Sequence, residues 1–284
     1  MAGRLSLVLA DLHMHSTVSD GWRDPDEVAH LAADRGVRVM ALTDHDTFHG
    51  VNRARAVAHR RGLGYVRALE VTTYPPNQMR HILGHGVDVD HPRLLALLHR
   101  TQGVFRRQTE AWIRVLHEQG IGEGLDLGAF AFKPTVMPGA VLKLILQHGL
   151  MTEGDAWASV RRAVDFMPPD FYSPIPSPKE AVDAIHAAGG LAVHAHPGSV
   201  PDQDLMKEVL PLIDGLEVYT RRHKPEQIPV YEELAARHGL LMTVGSDYHG
   251  FNGDDYEAPR KLIDIRYLEK LGSRVEWPAL EKAG

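Results

Sequence analysis

The chain has 284 residues, 44 % hydrophobic and 24 % charged, proportions of a globular protein with a sizeable core. Its formal net charge is −6 and its pI is near 6.3, which offers no broad basic surface to nucleic acid or an anionic membrane. With 0 cysteines, disulfides, thiolate zinc sites and a cysteine nucleophile are excluded. No stretch reaches the roughly 20 apolar residues that cross a bilayer. The N-terminal residues run straight into an apolar segment without a long signal-like stretch, so a cytoplasmic protein with no membrane partner is expected.

The first apolar run, Leu5 to Ala10, ends on Asp11-Leu12-His13-Met14-His15. Side chains two apart on a strand share a face, so Asp11, His13 and His15 project together. Two converging imidazoles can supply nitrogen ligands to a divalent metal. Asp24-Pro25 is an N-cap followed by proline at the first helical position, and the helix runs to Arg35 before Gly36. A strand over 37–42 leads into Thr43-Asp44-His45-Asp46. A helix over 51–61 stops at Gly62, and the strand from Tyr65 ends on Glu70. After the turn Tyr74-Pro75-Pro76-Asn77, a strand over 79–88 carries His81 and His85, which the pattern alone does not separate.

From His91 to about Pro176 the apolar spacing becomes helical, over 94–98, 105–119, 141–147 and 155–164. The segment 99–178 reads as a helical insertion capping the site, with 1–98 and 179–284 as the core. Ser177, Pro178 and Glu180 form a capping box that reopens the alternation. A strand from Leu191 meets His194-Ala195-His196-Pro197, another covers Gly215 to Tyr219, and a helix spans 229–238. The run 240–244 ends on Ser246-Asp247-Tyr248-His249. Repeated strand ends bearing His, Asp or Glu predict an α/β fold of about seven parallel strands in a barrel, with chemistry at their carboxyl ends. His30, His59, His99, His117, His148, His186 and His238 fall in helix-like segments and read as solvated.

The motifs His13-x-His15, Ser19-Asp20-Gly21, Thr43-Asp44-His45-Asp46, Glu70, His81-Ile82-Leu83-Gly84, Ala195-His196-Pro197 and Ser246-Asp247-Tyr248-His249-Gly250 come in fixed order. In order and spacing they resemble the PHP (polymerase and histidinol phosphatase) family. The branch they are most similar to contains nucleoside 3′,5′-bisphosphate phosphatases and a 5′–3′ exonuclease. The resemblance implies a distorted (β/α)7 barrel with a helical cap and a trinuclear site of manganese, iron or zinc. It implies that His13, His15, Glu70 and Asp247 hold one metal, that Glu70 bridges to a second held by His81 and His196, and that Asp20, His45 and His249 hold the third. The resemblance selects His81 over His85, and leaves His194 a packed neighbour. Asp11, Asp44 and Asp46 are candidates for orienting the ligands.

Three divalent cations would bring six positive charges, and Asp20, Glu70 and Asp247 return three. A bridging hydroxide and a phosphate dianion balance the rest, which favours phosphate esters over neutral substrates. The expected reaction is hydrolysis of a phosphomonoester or terminal phosphodiester, on a small nucleotide or oligonucleotide end, by a metal-bridging hydroxide. Asp247, His249 and His223 are the candidate catalytic residues, His223 as a proton donor to the leaving oxygen. Arg222, His223 and Lys133 are the candidate substrate contacts. Relatives in that branch place Arg-Pro-His at the start of an insertion helix, where this chain has Met137-Pro138-Gly139. Bisphosphate specificity is therefore open. Rival readings are a histidinol-phosphate phosphatase, an amidohydrolase-like enzyme, for which no strand-end lysine is present, and a non-catalytic scaffold stabilised by metals.

Overall fold

In the computed structural model the described residues are 7–74, 79–122, 136–164, 167–168, 170–199, 208–250, 256 and 263–278. The N-terminal apolar run becomes two short strands, β1 (Leu7–Val8) and β2 (Ala10–Asp11). β2 pairs in parallel with β3 (Val39–Met40), and β3 with β4 (Gly64–Val66). Parallel neighbours need a crossover. Helices α1 (Pro25–Asp34) and α2 (Val51–Arg60) provide it. Val28, Ala29 and Ala32 of α1 and Ala54, Val57 and Ala58 of α2 pack on Met40, Leu42 and Tyr65. The expected cap is partly realised at α1, where Glu27 Oε2 accepts the Asp24 backbone N–H at 2.9 Å.

A second sheet has the order β5 (Ala68–Thr73), β6 (Arg80–His85), β7 (Leu191–His194), β8 (Gly215–Thr220), β9 (Leu241–Gly245). Here the all-parallel expectation is corrected. β6 runs antiparallel to both β5 and β7, because a short connection joins β5 to β6 and can only reverse the chain. β7, β8 and β9 are parallel. Helices α6 (Pro178–Ala187) and α7 (Ile228–His238) cover this sheet. The box at α6 forms as expected, with Ser177 Oγ accepting from Glu180 N–H at 3.3 Å and Glu180 Oε2 accepting from Ser177 N–H at 2.9 Å.

The sheets meet at their edges through isolated bonds. Leu12 N–H donates to Val244 O at 3.1 Å, and Asp46 N–H to Glu70 O at 2.9 Å. Two further strands, β10 (Ile263–Asp264) and β11 (Val275–Glu276), pair with β1 and β4. Helix α8 (Ile265–Leu271) lies between them in sequence. The architecture is mixed α/β, with ladders of two, four and five strands among the described residues that these isolated bonds connect.

The insertion is not separated from the core by a break. The segments expected at 94–98 and 105–119 are one helix, α3 (Pro92–Glu118), so position 98 lies inside it. Its buried residues, Leu94, Leu97, Leu98, Thr101, Phe105, Gln108, Trp112 and Leu116, recur mainly every three or four positions. That continuous stripe outweighs the roughly 1 kcal/mol cost of Gly103 in mid-helix. α4 (Pro138–Gln147) and α5 (Glu153–Val164) close a separate apolar cluster around Trp112, Leu116, Val141, Ile145 and Val160. Trp112 Nε1–H donates to Ser159 Oγ at 2.6 Å. No described helix is long and apolar enough to cross a membrane.

Candidate metal centre

All nine side chains expected to ligate lie together where the sheets meet. β2 runs into His13 and His15, both fully buried. β3 is followed by the turn bearing His45, and Glu70 sits within β5. β6 is antiparallel, so it presents its beginning instead of its end, and His81 faces Thr72 across the ladder. The turn after β7 supplies His196, and the turn after β9 supplies Asp247 and His249.

Three groups of donor atoms result. In the first, Glu70 Oε2 lies 3.1 Å from both His13 Nε2 and His15 Nε2, and Asp247 Oδ1 lies 3.4 and 3.3 Å from the same nitrogens. The two imidazole nitrogens are 3.1 Å apart. A tetrahedral ion with bonds near 2.0–2.1 Å has ligand–ligand edges of about 3.3–3.4 Å. In the second, Glu70 Oε1 is 3.2 Å from His81 Nδ1 and 3.1 Å from His196 Nε2. In the third, Asp20 lies 3.7 Å from His45 Nε2 and 3.4 Å from His249 Nε2. His15 Nδ1, at 3.7 Å from Asp20 Oδ1, faces this group too.

The donor set fits divalent cations on grounds internal to the structure. His15 Nδ1, His45 Nδ1, His81 Nδ1, Glu70 Oε2 and Asp247 Oδ1 are buried without a hydrogen-bond partner. Buried polar atoms are ordinarily paired, so five such atoms converging in one place point to a missing common partner. His196 at φ 26° and Asp247 at φ 51° hold left-handed backbone conformations that non-glycine residues adopt only when their surroundings compel it.

Carboxylates behind the cluster fix its geometry. Glu217, fully buried in β8, accepts from His13 Nδ1 at 2.9 Å and from the His196 backbone N–H at 2.8 Å. Sequence reading missed it, although an acidic residue inside the apolar strand Gly215-Leu216-Glu217-Val218-Tyr219 was the available signal. Asp11 accepts the Ser246 N–H at 2.9 Å and the Tyr256 hydroxyl at 2.7 Å. Asp44 accepts the Ser16 N–H and the Ser16 and Ser19 hydroxyls, each at 2.7 Å. Asp46 Oδ1 accepts the Thr72 N–H at 2.9 Å. His85 is structural, with Nε2–H donating to Leu12 O at 2.9 Å.

Charge follows from this packing. Burial alone would lower the His13 and His15 pKa values. At His13 the Glu70, Glu217 and Asp247 carboxylates outweigh it and hold the ring well above the ordinary range, and at His15 Asp247, Glu70 and Asp20 raise it to about 10. Burial opposes ionisation of Glu70 and Asp247, yet the neighbouring imidazoles push both below the ordinary carboxylate range. His45 is pushed down to about 3 by burial and remains a neutral donor, and burial raises Asp46 to about 7.

The expected substrate contacts divide. Arg222 pairs through Nε with Asp247 Oδ2 at the edge of the cluster. His223 is turned into the protein: its Nδ1–H donates to Val218 O at 3.0 Å and its Nε2 accepts the Gly198 N–H at 2.9 Å. Both ring nitrogens are thereby engaged by backbone groups. Lys133 lies outside the described residues. Lys143 donates to Trp22 O at 3.1 Å, and Arg107 lies over the Phe171 ring. His194 is buried with Nδ1 lacking a partner and is held near 3 by burial. A cleft of about 480 Å³ opens beside the third group, lined by Asp20, His249, Arg222, Gly139, Leu142 and Trp157 among others.

The family model of the PHP domain matches residues 11–172. A phosphoribosyl 1,2-cyclic phosphate 1,2-diphosphodiesterase of Eggerthella lenta is 32 % identical over 261 residues, 86 % of this chain and 95 % of the relative. A 3′,5′-nucleoside bisphosphate phosphatase of Chromobacterium violaceum is 32 % identical over 284 residues, 95 % of this chain and 98 % of the relative. A crystal structure from Bifidobacterium adolescentis, of a protein assigned to the metal-dependent phosphoesterases, superposes with a TM-score of 0.79 at 26 % identity, covering 94 % of this chain and 96 % of that one. Motif order, cluster geometry and these similarities agree: the chain belongs to the PHP domain family.

Proposed function

We propose that this protein is a metal-dependent phosphoesterase that hydrolyses a phosphate ester of a small nucleotide or an oligonucleotide end. The observation that carries this is the first donor group, in which each of two imidazole nitrogens lies 3.1–3.4 Å from two carboxylate oxygens, with Glu70 Oε2 and Asp247 Oδ1 otherwise unpartnered. The relatives named for phosphatase and phosphodiesterase activity support it.

In this reading His13, His15, Glu70 and Asp247 hold one divalent ion, Glu70, His81 and His196 a second, and Asp20, His45 and His249 a third, with manganese, iron or zinc as candidates. Bound ions of this kind acidify water and neutralise phosphoryl oxygens. The chain's own groups do the rest. Glu70 bridges two of the donor groups with its two oxygens. Glu217 orients His13 so that Nε2 faces the donor group. Arg222, whose Nε donates to Asp247, is placed to donate instead to a phosphoryl oxygen and to release the carboxylate as it does so. Water adds to phosphorus, the ester oxygen departs, and the proton lost by the one is taken up by the other. Helices α4 and α5 of the insertion act as its cap, since their residues line the cleft that opens beside the third donor group.

Metal analysis of the purified protein, together with a panel of phosphoesters, tests the proposal. Bound metal and hydrolysis are expected, with activity falling at least about a hundredfold in Asp247→Ala. Bound metal without hydrolysis of any ester would leave a scaffold instead.

A further inference from the structure

The cleft beside the third donor group has walls of different chemistry. Asp20, His249, Arg221 and Arg222 line it from the core. Leu142 of α4 and Trp157 of α5 line it from the insertion. α5 buries Ala156, Ser159, Val160 and Ala163 against the insertion's own core, and Trp157 falls off that face. It is 37 % exposed, one of the few large apolar side chains left open among the described residues. An uncovered indole costs free energy unless something apolar lies against it.

α4 approaches Asp20 too closely to add a side chain there. A Cβ on Gly139 would sit 2.7 Å from Asp20 Cβ, so this position offers backbone only. Glu153 of α5 lines the cleft as well and disfavours an anion beside it, whereas Arg221 and Arg222 favour one. A ligand matched to this lining places its anionic part by the third donor group and the arginines, and a flat apolar part against Trp157. At about 480 Å³ the cleft has the size of a small-molecule site and holds more than a phosphate group.

We propose that Trp157 is a stacking platform for the base of a nucleotide substrate, which runs from the donor cluster and Arg222 to the indole on the cap. This rests on the phosphoesterase reading and deepens it. It makes the base a recognised part of the substrate, and it makes selection for stacking rather than for one base sequence-tolerant, since every base has a π-face.

The test uses the manganese-loaded full chain with Trp157→Ala and Trp157→Phe, adenosine 3′,5′-bisphosphate as nucleotide, and ribose 5-phosphate as an ester without a base. In Trp157→Ala, KM for the nucleotide is expected to rise about tenfold or more with kcat little changed, while Trp157→Phe stays near the parent. Turnover of ribose 5-phosphate is expected to be unaffected by either variant. Independently of turnover, adding the nucleotide should quench tryptophan emission in the parent, and the quench should vanish in Trp157→Phe. Equal changes on both esters, an unchanged nucleotide KM in Trp157→Ala, or a quench that survives in Trp157→Phe would each overturn the platform. If the parent hydrolyses neither ester, the phosphoesterase reading fails on its own, and the emission titration still decides whether Trp157 receives a base.

Discussion

Glu217 shows what one residue contributes without touching a metal. Its two oxygens satisfy His13 Nδ1 and the His196 N–H, so one carboxylate sets two donors that belong to two different groups. Glu217→Gln keeps the shape but turns one acceptor into an NH2 facing a donor. Metal affinity is expected to fall about 10- to 100-fold, read by competition with a chelator, while the fold persists. Gly245 stands at the same point, since a Cβ there would lie within overlap distance of both His13 Cβ and Glu217 Oε1. That close approach is why β9 can run beside the cluster. His13 and His15 were legible because strand alternation is local, and the other candidate ligands came from the resemblance of their motifs to the PHP family. Glu217 was not, because its importance lies in reaching across the sheet to a residue 204 positions away.

At the level of elements, α3 joins the core to the insertion in one rod, and Gly103 sits at its middle. A Cβ at Gly103 would meet only Arg107 Nη1 at 3.6 Å, an ordinary contact. Gly103→Ala is therefore expected to stabilise the protein by about 1 kcal/mol, seen as a higher denaturant midpoint at unchanged slope. The sequence reads as separate helical stretches at 94–98 and 105–119, and the burial of Leu97, Leu98, Val104 and Phe105 on either side of Gly103 joins them. Caps fared better. Ser177 and Glu180 form their box because both partners lie within one turn and need nothing from the rest of the chain. Strand direction fared worse: the β5–β6–β7 antiparallel run places His81 at a strand's beginning, which no count of strand ends anticipates.

For the whole molecule, the donor cluster links stability to pH and to metal. In the metal-free protein His13 and His15 are raised above their unfolded values, so their contribution is complete below about pH 6.5 and is lost as pH climbs, for His15 through about 10. Glu70 and Asp247 are lowered, so theirs is present above about pH 4.5 and is lost on acidification. Cations replace the protons on the imidazoles, so metal affinity rises with pH. Chelated protein is expected to lose melting temperature above neutrality. Manganese should restore it by about 10 °C at a thousandfold excess over Kd, by an increment that grows from pH 6 to 9 in paired thermal scans. A loaded protein whose increment shrinks with pH would contradict the protonation pattern.

By itself the sequence determined roughly which segments are helix or strand, because alternation and capping are properties of neighbours along the chain, and its motifs, through their resemblance to the PHP family, picked out the side chains that cluster. Only the tertiary structure decided how they meet. It turned β6 against its neighbours, gave the His223 ring backbone carbonyl and amide partners, brought Glu217 behind His13, and placed Trp157 and Arg222 on one cleft. Each of those outcomes depends on contacts between residues far apart in the chain, whose cost and gain arise only when the elements pack.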